Sequence, residues 1–240
     1  VCQASQKSCG KESRQKSRKE NRKEIRKESR QEESLMTLGR YIAFEGLEGC
    51  GKSTHVTRLA DALGGVATRE PGGTAIGASL RAAMLDASNT MLSPRAEALM
   101  MSADRAQHLD ELVLPTLRAG KHVVSDRSAF SSLAYQGYGR MLDLDELKRF
   151  NNWAIAGNWP DLVVFIDVPL EQLLERLQKR ELDRFEREDR AFFERIFTGF
   201  HTMAASDPTR WLIVDGTPPK EELAATILTQ VCERLKITLS

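Results

Sequence analysis

The chain has 240 residues, of which 41% are hydrophobic and 29% are charged, and its formal net charge is +1. This length and composition are typical of one globular α/β domain with a sizeable core. No apolar run approaches the roughly 18 residues that a membrane-spanning helix needs, and the small net charge gives no reason to expect nucleic acid or a membrane as a partner.

The four cysteines are Cys2, Cys9, Cys50 and Cys232, and no two of them have the spacing of metal ligands. This pattern excludes a zinc site and a disulfide framework of the kind found in small secreted proteins. We therefore expect a protein of the reducing cytoplasm.

Residues 1–35 contain 11 Lys and Arg against 6 Asp and Glu, so their net charge is +5 and that of the remainder is −4. From Lys11 to Ser34 a unit close to Lys-Glu-x-Arg repeats, with Ile25 as its one apolar residue. Such a segment buries no core, and we expect it to be disordered or a frayed helix. A solvated extension is favoured over a nucleic-acid-binding arm, because interleaved Glu cancels half of the charge that phosphate binding needs.

Met36 is the first methionine of the chain and stands shortly before the first apolar strand. We expect natural translation to begin there. The predicted domains are therefore a disordered basic tail, residues 1–35, and one α/β domain, residues 36–240, which no Pro/Gly-rich linker divides.

Beyond the tail, short apolar segments alternate with amphipathic ones. The predicted strands are 40–45, 65–70, 121–126, 161–168 and 210–215. The predicted helices are 52–63, 75–85, 96–117, 170–180, 190–205 and 220–235. This alternation predicts a three-layer α/β fold, in which a parallel sheet of about five strands is covered by helices on both faces.

The segment GLEGCGKST, residues 46–54, lies between the first predicted strand and the first predicted helix and matches the phosphate-binding motif G-x-x-x-x-G-K-[ST]. Its glycines let backbone N–H groups point inward, and the helix N-terminus adds partial positive charge. Lys52 can reach the β- and γ-phosphates of a nucleotide, and the Ser53 hydroxyl can ligate Mg²⁺. The predicted ATP-binding residues are Gly46, Leu47, Glu48, Gly49, Cys50, Gly51, Lys52, Ser53 and Thr54.

Other features narrow the class of P-loop protein. A GTPase needs an Asn-Lys-x-Asp guanine-binding motif, and the sequence has none. A motor or AAA-type ATPase usually has a longer chain and an apolar strand that ends in paired acids, whereas the strand FIDVP provides only Asp167. A small domain with arginines at loop positions favours a kinase that phosphorylates a small molecule.

Further segments, taken together with the P-loop, resemble bacterial thymidylate kinases over nearly all of residues 40–235. These segments are TREPGGT (68–74), RAQH (105–108), SDRS (125–128), AYQGYGR (134–140), PDLVVFIDVP (160–169) and LDRFERED (182–189). The resemblance implies a P-loop NTPase fold with a lid segment, and transfer of a phosphoryl group from ATP to dTMP, giving ADP and dTDP in dTTP biosynthesis. It also implies Mg²⁺ as cofactor and a homodimer.

The resemblance assigns four residues to the acceptor phosphate and its sugar. Arg127 binds the dTMP phosphate, which a guanidinium fork matches well, and Asp126 lies near the metal or orients Arg127. Arg69 faces the acceptor phosphate, and Glu48 reaches the 3′-hydroxyl. Asp126 and Arg127 follow a predicted strand, at the carboxyl edge where a parallel sheet presents its ligands.

Five more residues are assigned to the nucleoside. Arg105, Ser132 and Gln136 contact the thymine edge, and Tyr135 lies against the deoxyribose, where it disfavours a 2′-hydroxyl. Met101 stands where the family often has a Phe stacked on thymine. A thioether also packs on a base face, although with less geometric constraint.

The charged stretch 180–189 resembles the lid that closes over the donor phosphates. Gly49 of the P-loop carries no arginine, and in family members of this kind a lid arginine supplies the transition-state charge. The candidates are Arg180, Arg184 and Arg187, of which we favour Arg184. The predicted catalytic residues are therefore Lys52, Asp126, Arg127 and Arg184.

Two other functions stay open. One is a P-loop kinase for a different nucleoside monophosphate or another small acceptor, which the Met101 departure keeps open and which an acceptor screen distinguishes. The other is a nucleotide-binding regulatory module without turnover, which uses the basic tail to bind a partner. That module binds ATP but shows no acceptor-dependent release of ADP.

Overall fold

The computed structural model describes residues 38–89, 91–177 and 183–239. The predicted tail, residues 1–35, lies outside these ranges, so the division of the chain into tail and domain stays a prediction. Within the described ranges, no helix is both long enough and apolar enough to cross a membrane.

The described residues form a five-stranded parallel sheet, as the sequence predicts. In chain order its strands are β1 Tyr41–Glu45, β2 Val66–Arg69, β3 Val123–Asp126, β4 Leu162–Asp167 and β5 Trp211–Asp215. Their order across the sheet is β2-β3-β1-β4-β5, and every neighbouring pair is parallel. Side chains of a strand point alternately to the two faces, yet every residue of β1 is buried, so the centre of the sheet is covered on both faces.

Helices connect the strands. They are α1 Lys52–Ala62, α2 Ala75–Leu85, α3 Pro94–His108, α4 Leu114–Arg118, α5 Ala129–Ser132, α6 Leu144–Ala154, α7 Leu170–Leu177, α8 Arg190–Ser206 and α9 Lys220–Leu235. Two π-helical segments extend them: Leu109–Val113 joins α3 to α4, and Leu133–Gly139 continues α5. A π-helical turn shifts side chains relative to the 3.6-residue period and often lies at a functional site.

The helix boundaries differ from the predicted ones where local capping decides them. The helix predicted from residue 96 begins at Pro94, because the Ser93 hydroxyl accepts from Ala96 N at 3.3 Å and Pro is well tolerated in a first turn. Helix α6 was not predicted. It buries Leu147, Asn151 and Ala154, and its apolar residues recur at helical spacing, so the sequence did contain a signal for it.

The strand order brings three loops to one edge of the sheet. In the register, Asp126 of β3 lies beside Phe44 of β1 and beside Arg69 of β2. The carboxyl ends of β1, β2 and β3 therefore lie at the same edge of the sheet. The loop that follows β1 starts at this edge, between β3 on one side and β4 on the other. An open parallel sheet binds ligands in the crevice at such a point.

Candidate active site

A cavity of about 590 Å³ lies at this carboxyl edge of the sheet. The wall is formed by the P-loop, the β2–α2 turn, α2, α3, the β3–α5 segment and the residues Asp183, Phe185 and Glu186. All eight residues assigned to the acceptor nucleotide line it: Glu48, Arg69, Met101, Arg105, Arg127, Ser132, Tyr135 and Gln136. Lys52, Ser53 and Asp126 line the same cavity, so the structure brings the predicted donor and acceptor residues together.

The P-loop adopts a conformation that requires its glycines. Gly46, Gly49 and Gly51 have φ angles of 139°, 81° and 95°, which favour glycine. The Lys52 ammonium closes the loop by donating to Gly46 O at 3.0 Å and to Leu47 O at 2.9 Å. Lys52 thereby holds a positive charge at the start of α1, where backbone N–H groups also favour an anion.

Three of the nine predicted ATP-binding residues do not line the cavity. Leu47 and Cys50 are buried in the hydrophobic core and do not line the cavity. Their side chains fasten the loop to the domain, and any contact with phosphate would come from their backbone. Gly46 likewise serves through its carbonyl, which accepts from both Lys52 and Arg127.

Ser53 and Asp126 form a direct contact across the crevice. The Ser53 hydroxyl donates to Asp126 Oδ2 at 2.6 Å, and both side chains line the cavity. This pair joins the P-loop helix to the end of β3. It also places two oxygen atoms of the kind that Mg²⁺ prefers at the point where the loop ends.

Arg127 is held in position on several sides. Its Nη1 donates to Gly46 O at 3.2 Å and to Ser131 Oγ at 3.0 Å, and its Nη2 donates to Glu48 Oε1 at 2.7 Å and to Tyr135 OH at 2.9 Å. Its φ angle is 76°, an unusual value for a non-glycine residue, and such strained backbone tends to occur at functional sites. Burial alone would lower the pKa of Arg127, but Tyr135 and Glu48 hold that pKa well above its usual value.

Glu48 has partners that explain a carboxylate inside a phosphate-binding loop. Besides Arg127, it accepts from Tyr135 OH, at 2.7 Å for Oε1 and 2.6 Å for Oε2. Burial would raise the pKa of Glu48, but Arg127, Lys52 and the Tyr135 hydrogen bond together lower it. The carboxylate therefore carries its charge and is neutralised by its neighbours. Its predicted contact with the sugar 3′-hydroxyl stays a prediction.

Glu45, which the sequence analysis missed, fixes the segment after β3. It is fully buried and accepts from Ser128 N at 2.9 Å, from Ser128 Oγ at 2.8 Å and from Ser131 Oγ at 2.6 Å. Burial raises the pKa of Glu45 although Arg127 and the serine hydrogen bonds oppose the shift. An acidic residue at the end of an otherwise apolar strand was the available signal.

Arg105 lies at the other end of the cavity and is only 2% exposed. Its Nε donates to Glu70 at 2.7 Å, its Nη1 to Ser132 at 3.2 Å and also to Asn151, and its Nη2 to Ser128 O at 3.1 Å. These contacts use four of the five N–H donors of a guanidinium group. The fifth, on Nη2, is the one that remains for a ligand when only bonds between described residues are counted.

Glu70 is the centre of the network behind Arg105. It is buried, pairs with Arg105, accepts from His108 Nδ1 at 2.9 Å and from Tyr41 OH at 3.4 Å. Burial would raise the pKa of Glu70, but Arg105 and His108 lower it. Thr68 lies 2.7 Å from the other ring nitrogen of His108, so the imidazole is bonded at both ends.

The turn that follows Glu70 is held by α3. The Glu70–Pro71 peptide bond is cis. Gly72 N donates to Asp104 Oδ1 at 2.9 Å, and burial raises the pKa of Asp104. This turn carries Arg69 at its start and directs its side chain to the cavity.

Arg81 is a second site residue that the sequence analysis missed. It lines the cavity from α2, and its Nη1 donates to Pro71 O at 2.9 Å. Burial lowers the pKa of Arg81, and the nearby positive charges of Arg69 and Arg127 lower it further. Three guanidinium groups on one wall are a site for a phosphate. The signal was a lone Arg in the apolar segment AIGASLRAAML.

The favoured lid arginine does not line the cavity. Arg184 pairs with Glu97 at 2.7 Å and donates from Nε to Met84 O at 2.8 Å, and its side chain is mostly buried. Of the other candidates, Arg180 lies outside the described residues, and the cavity wall does not include Arg187. The lid role of Arg184 therefore stays a prediction, and it requires Arg184 to leave Glu97.

Arg176 of α7 lies over the P-loop. Its Nη1 donates to Gly49 O at 2.8 Å, and a Cβ added at Gly49 would lie 3.5 Å from Arg176 Cβ. Arg176 was not predicted as a site residue, because it stands before the charged stretch 180–189 that resembles the lid. It places another positive charge next to the donor site.

Comparison with known proteins shows the family of this chain. Residues 44–227 match the family model of thymidylate kinase. The thymidylate kinase of Nitratidesulfovibrio vulgaris strain Miyazaki F is 42% identical over 204 residues, which cover 80% of this chain and 95% of that protein. Those of Halothermothrix orenii and Trichlorobacter lovleyi are 42% and 41% identical, and the matches cover 96% and 99% of their lengths. The chain therefore belongs to the thymidylate kinase family.

Proposed function

We propose that this protein transfers the γ-phosphoryl group of ATP to dTMP, giving ADP and dTDP. The observation that carries the proposal is the shared cavity, where the P-loop residues Lys52 and Ser53 face the residues assigned to the acceptor nucleotide. Membership of the thymidylate kinase family supports the same reaction.

The donor phosphates bind on the P-loop in this proposal. Backbone N–H groups of the loop and the N-terminus of α1 surround them, and Lys52 exchanges its bonds with the carbonyls of Gly46 and Leu47 for phosphate oxygens. Arg176 adds positive charge beside Gly49. The γ-phosphate then points along the crevice toward Arg127.

The acceptor phosphate binds between Arg69, Arg81 and Arg127. A phosphate monoester is already a nucleophile at neutral pH, so the reaction needs no strong general base. Both Nη atoms of Arg127 already donate to Gly46, Ser131, Glu48 and Tyr135, so Arg127 binds the phosphate by exchanging some of these bonds for phosphate oxygens. Catalysis is then mainly the alignment of two phosphates and the stabilisation of charge that develops between them.

The residues at the end of the P-loop fit a magnesium ion. Ser53 and Asp126 supply two hard oxygen atoms within 2.6 Å of each other, and Mg²⁺ is usually held by one or two carboxylates or hydroxyls together with substrate phosphates. Among the described residues no group of three or more His, Cys, Asp or Glu could hold a metal alone, so the substrate must complete the site. Ser53 would ligate the ion, Asp126 would lie beside it, and the ion would neutralise phosphate charge.

The base of dTMP lies at the other end of the cavity in this proposal. Arg105, Ser132 and Gln136 face its edge, Met101 packs on its face, and Tyr135 excludes a 2′-hydroxyl from the sugar. We also propose that the protein is cytoplasmic and homodimeric. The sequence of α2 is largely apolar, yet the helix buries only Gly77 and Met84, which supports a partner subunit on its exposed face. Light scattering of the purified protein tests the dimer, and a monomer at micromolar concentration contradicts it.

Release of ADP tests the reaction. The full-length protein is incubated with MgATP and, in separate reactions, dTMP, dUMP, dCMP, dGMP or dAMP. The expected result is rapid ADP release with dTMP and much slower release with the others. Equal turnover with several acceptors would favour a kinase for a different nucleoside monophosphate. ATP binding without any acceptor-dependent turnover would favour a regulatory module.

A further inference from the structure

Gln136 lies in the cavity wall with one end of its amide bonded and the other without a partner. The residue is 1% exposed and lies in the π-helical segment after α5. Its Nε2 donates to Glu97 Oε1 at 2.8 Å, whereas its Oε1 has no hydrogen-bond partner in the part of the chain that the structure describes. An unpaired buried acceptor is unfavourable, so this oxygen is positioned for a ligand in the cavity.

Glu97 decides which end of that amide faces the cavity. Its carboxylate is fully buried, and Arg140 and Arg184 pair with it at 3.2 Å and 2.7 Å. A carboxylate held by two guanidinium groups is an acceptor and has no proton to donate. It therefore bonds the nitrogen of the Gln136 amide and leaves the oxygen for the cavity.

Glu97 can hold this orientation firmly because the fold fixes its position. It lies in the first turn of α3, which Ser93 caps and whose N-terminus favours a negative charge. Arg140 also pairs with Glu188 at 2.5 Å, so the guanidinium that lies on Glu97 is itself anchored on its other side. Glu97 does not line the cavity, and it acts on a ligand only through Gln136.

We propose that Glu97 is a positioning residue for base selectivity, because it fixes the Gln136 amide with its oxygen toward the acceptor base. The inference rests on the proposed function, since it places the base of dTMP at this end of the cavity. Thymine has an N–H donor at N3, whereas cytosine has an acceptor lone pair there. The fixed oxygen of Gln136 accepts from thymine and repels cytosine, which is discrimination by an unfavourable contact with the wrong ligand.

The variant Glu97→Gln tests this inference with little change in shape. Its new amide donates as well as accepts, so Gln136 is free to turn its own nitrogen toward the cavity. In the full-length protein, kcat/KM is measured for dTMP and for dCMP at saturating MgATP. The expected result is a fall of about 10-fold or more in the ratio of the two values, mostly through a higher KM for dTMP and a lower KM for dCMP.

Two matched variants separate this effect from others. Glu111→Gln changes a carboxylate that also accepts from a glutamine amide, Gln107 Nε2 at 2.7 Å, but lies away from the cavity. Glu188→Gln removes the other carboxylate of Arg140 and leaves the Glu97–Gln136 bond in place. Both are expected to keep the dTMP to dCMP ratio within about twofold of the unmodified protein, because neither substitution changes the bond between Glu97 and Gln136.

The outcomes are distinguishable. An unchanged ratio in Glu97→Gln, or an equal fall in Glu188→Gln, overturns the role of Glu97 and leaves the proposed function standing. Absence of dTMP turnover in the unmodified protein overturns the proposed function and this inference with it.

A second measurement applies if circular dichroism shows that Glu97→Gln does not fold. The side-chain amide protons of Gln136 are followed by NMR in the unmodified protein and are assigned by their loss in Gln136→Leu. Protons that point at Glu97 are expected to exchange slowly with water before dTMP is added. Fast exchange, as for an NH₂ group that faces the open cavity, overturns the proposal.

Discussion

The two ends of the cavity present positive charge in different ways. At the phosphate end, Lys52 and Arg127 bond mainly to loop carbonyls, hydroxyls and one carboxylate, groups that phosphate oxygens can replace. At the base end, Arg105 likewise has four of its five donors engaged, by Glu70, Ser132, Asn151 and Ser128, but its side chain is 2% exposed against 15% for that of Arg127. The first arrangement keeps charge available for a ligand, whereas the second uses charge to build a rigid wall.

The difference shows where affinity and selectivity originate. Hydrogen bonds that can be exchanged suit the phosphate end, because the γ-phosphoryl group moves from ATP to the acceptor during the reaction. A wall whose side chains are held by hydrogen bonds suits the base, because a hydrogen-bonding edge discriminates only when its remaining donors and acceptors have fixed directions. Substitutions at the phosphate end are therefore expected to change turnover, and substitutions at the base end to change stability and the choice of acceptor.

The largest expected effect is at the phosphate end, in Lys52→Met. Removal of the ammonium is expected to lower kcat with dTMP by about 10³-fold or more, because Lys52 contacts the β- and γ-phosphates of ATP in the proposed transition state. Lys148→Met, at an exposed lysine of α6, is the control and is expected to leave turnover unchanged. Steady-state release of ADP measures both. A loss of less than tenfold in Lys52→Met contradicts the assignment of the donor site.

The next effect is at the base end and concerns stability. Glu70→Gln breaks a buried ion pair with Arg105 and is expected to lower the free energy of unfolding by about 3 kcal/mol. Glu146→Gln, in an exposed pair with Arg149, is expected to lower it by less than about 1 kcal/mol. Urea unfolding followed by circular dichroism compares the two. Equal losses contradict the view that the base end is a rigid wall.

The same residue has an expected pH dependence. The pKa of Glu70 lies below its ordinary value of 4.5 in the folded protein, so its ionised form stabilises the fold. That stabilisation is complete above about pH 4.5 and is lost as the pH falls through the lower, folded value. The free energy of unfolding of Glu70→Gln should therefore fall less steeply below pH 4.5 than that of the unmodified protein. Parallel curves contradict the assignment.

Arg184→Ala distinguishes a catalytic lid residue from a structural one. If Arg184 leaves Glu97 to reach the phosphates, kcat is expected to fall by about 100-fold while the KM for dTMP changes little. Arg149→Ala, at an exposed arginine of α6, serves as the control. Unchanged kcat together with lower stability would place Arg184 in the wall with Glu97 and remove it from catalysis.

The smallest expected effect is that of Asp104→Asn. Burial raises the pKa of Asp104 above 3.8, so its ionised form destabilises the fold at neutral pH and this penalty disappears as the pH falls toward 3.8. An amide oxygen can still accept from Gly72 N, and we expect a gain of up to about 1 kcal/mol at pH 7. Asp110→Asn, at an exposed position, is the control. A loss above 1 kcal/mol in Asp104→Asn shows that its charge stabilises the β2–α2 turn.

The residues assigned to the phosphate end could be located from the sequence because they stand in continuous motifs. The P-loop is a single stretch, and Asp126 ends a strand that Arg127 directly follows, so spacing and the rule for carboxyl edges of parallel sheets place them. The missed basic residues at this end are Arg81 and Arg176. Each is one charged side chain on a helix, and the direction of a helical side chain depends on packing that the sequence does not state.

The base end was predicted only in part, because its network joins residues that are far apart along the chain. Glu70 and Arg105 are separated by 35 positions, and Glu97 and Gln136 by 39. A local sequence pattern does not show which of many basic or amide side chains a buried carboxylate will contact. The helix that contributes Asn151 was itself not predicted, and the π-helical segment that carries Gln136 breaks the period on which helix prediction relies.

Transfer of labelled phosphate tests the central claim most directly. ATP labelled with ³²P at the γ-position is mixed with an excess of the full-length protein, Mg²⁺ and dTMP, and the products of a single turnover are separated. The proposed function predicts that the label appears in dTDP, at its β-phosphorus. Label that appears only as inorganic phosphate, or that stays in ATP, would contradict the claim that the two ends of this cavity bind the donor and the acceptor for direct transfer.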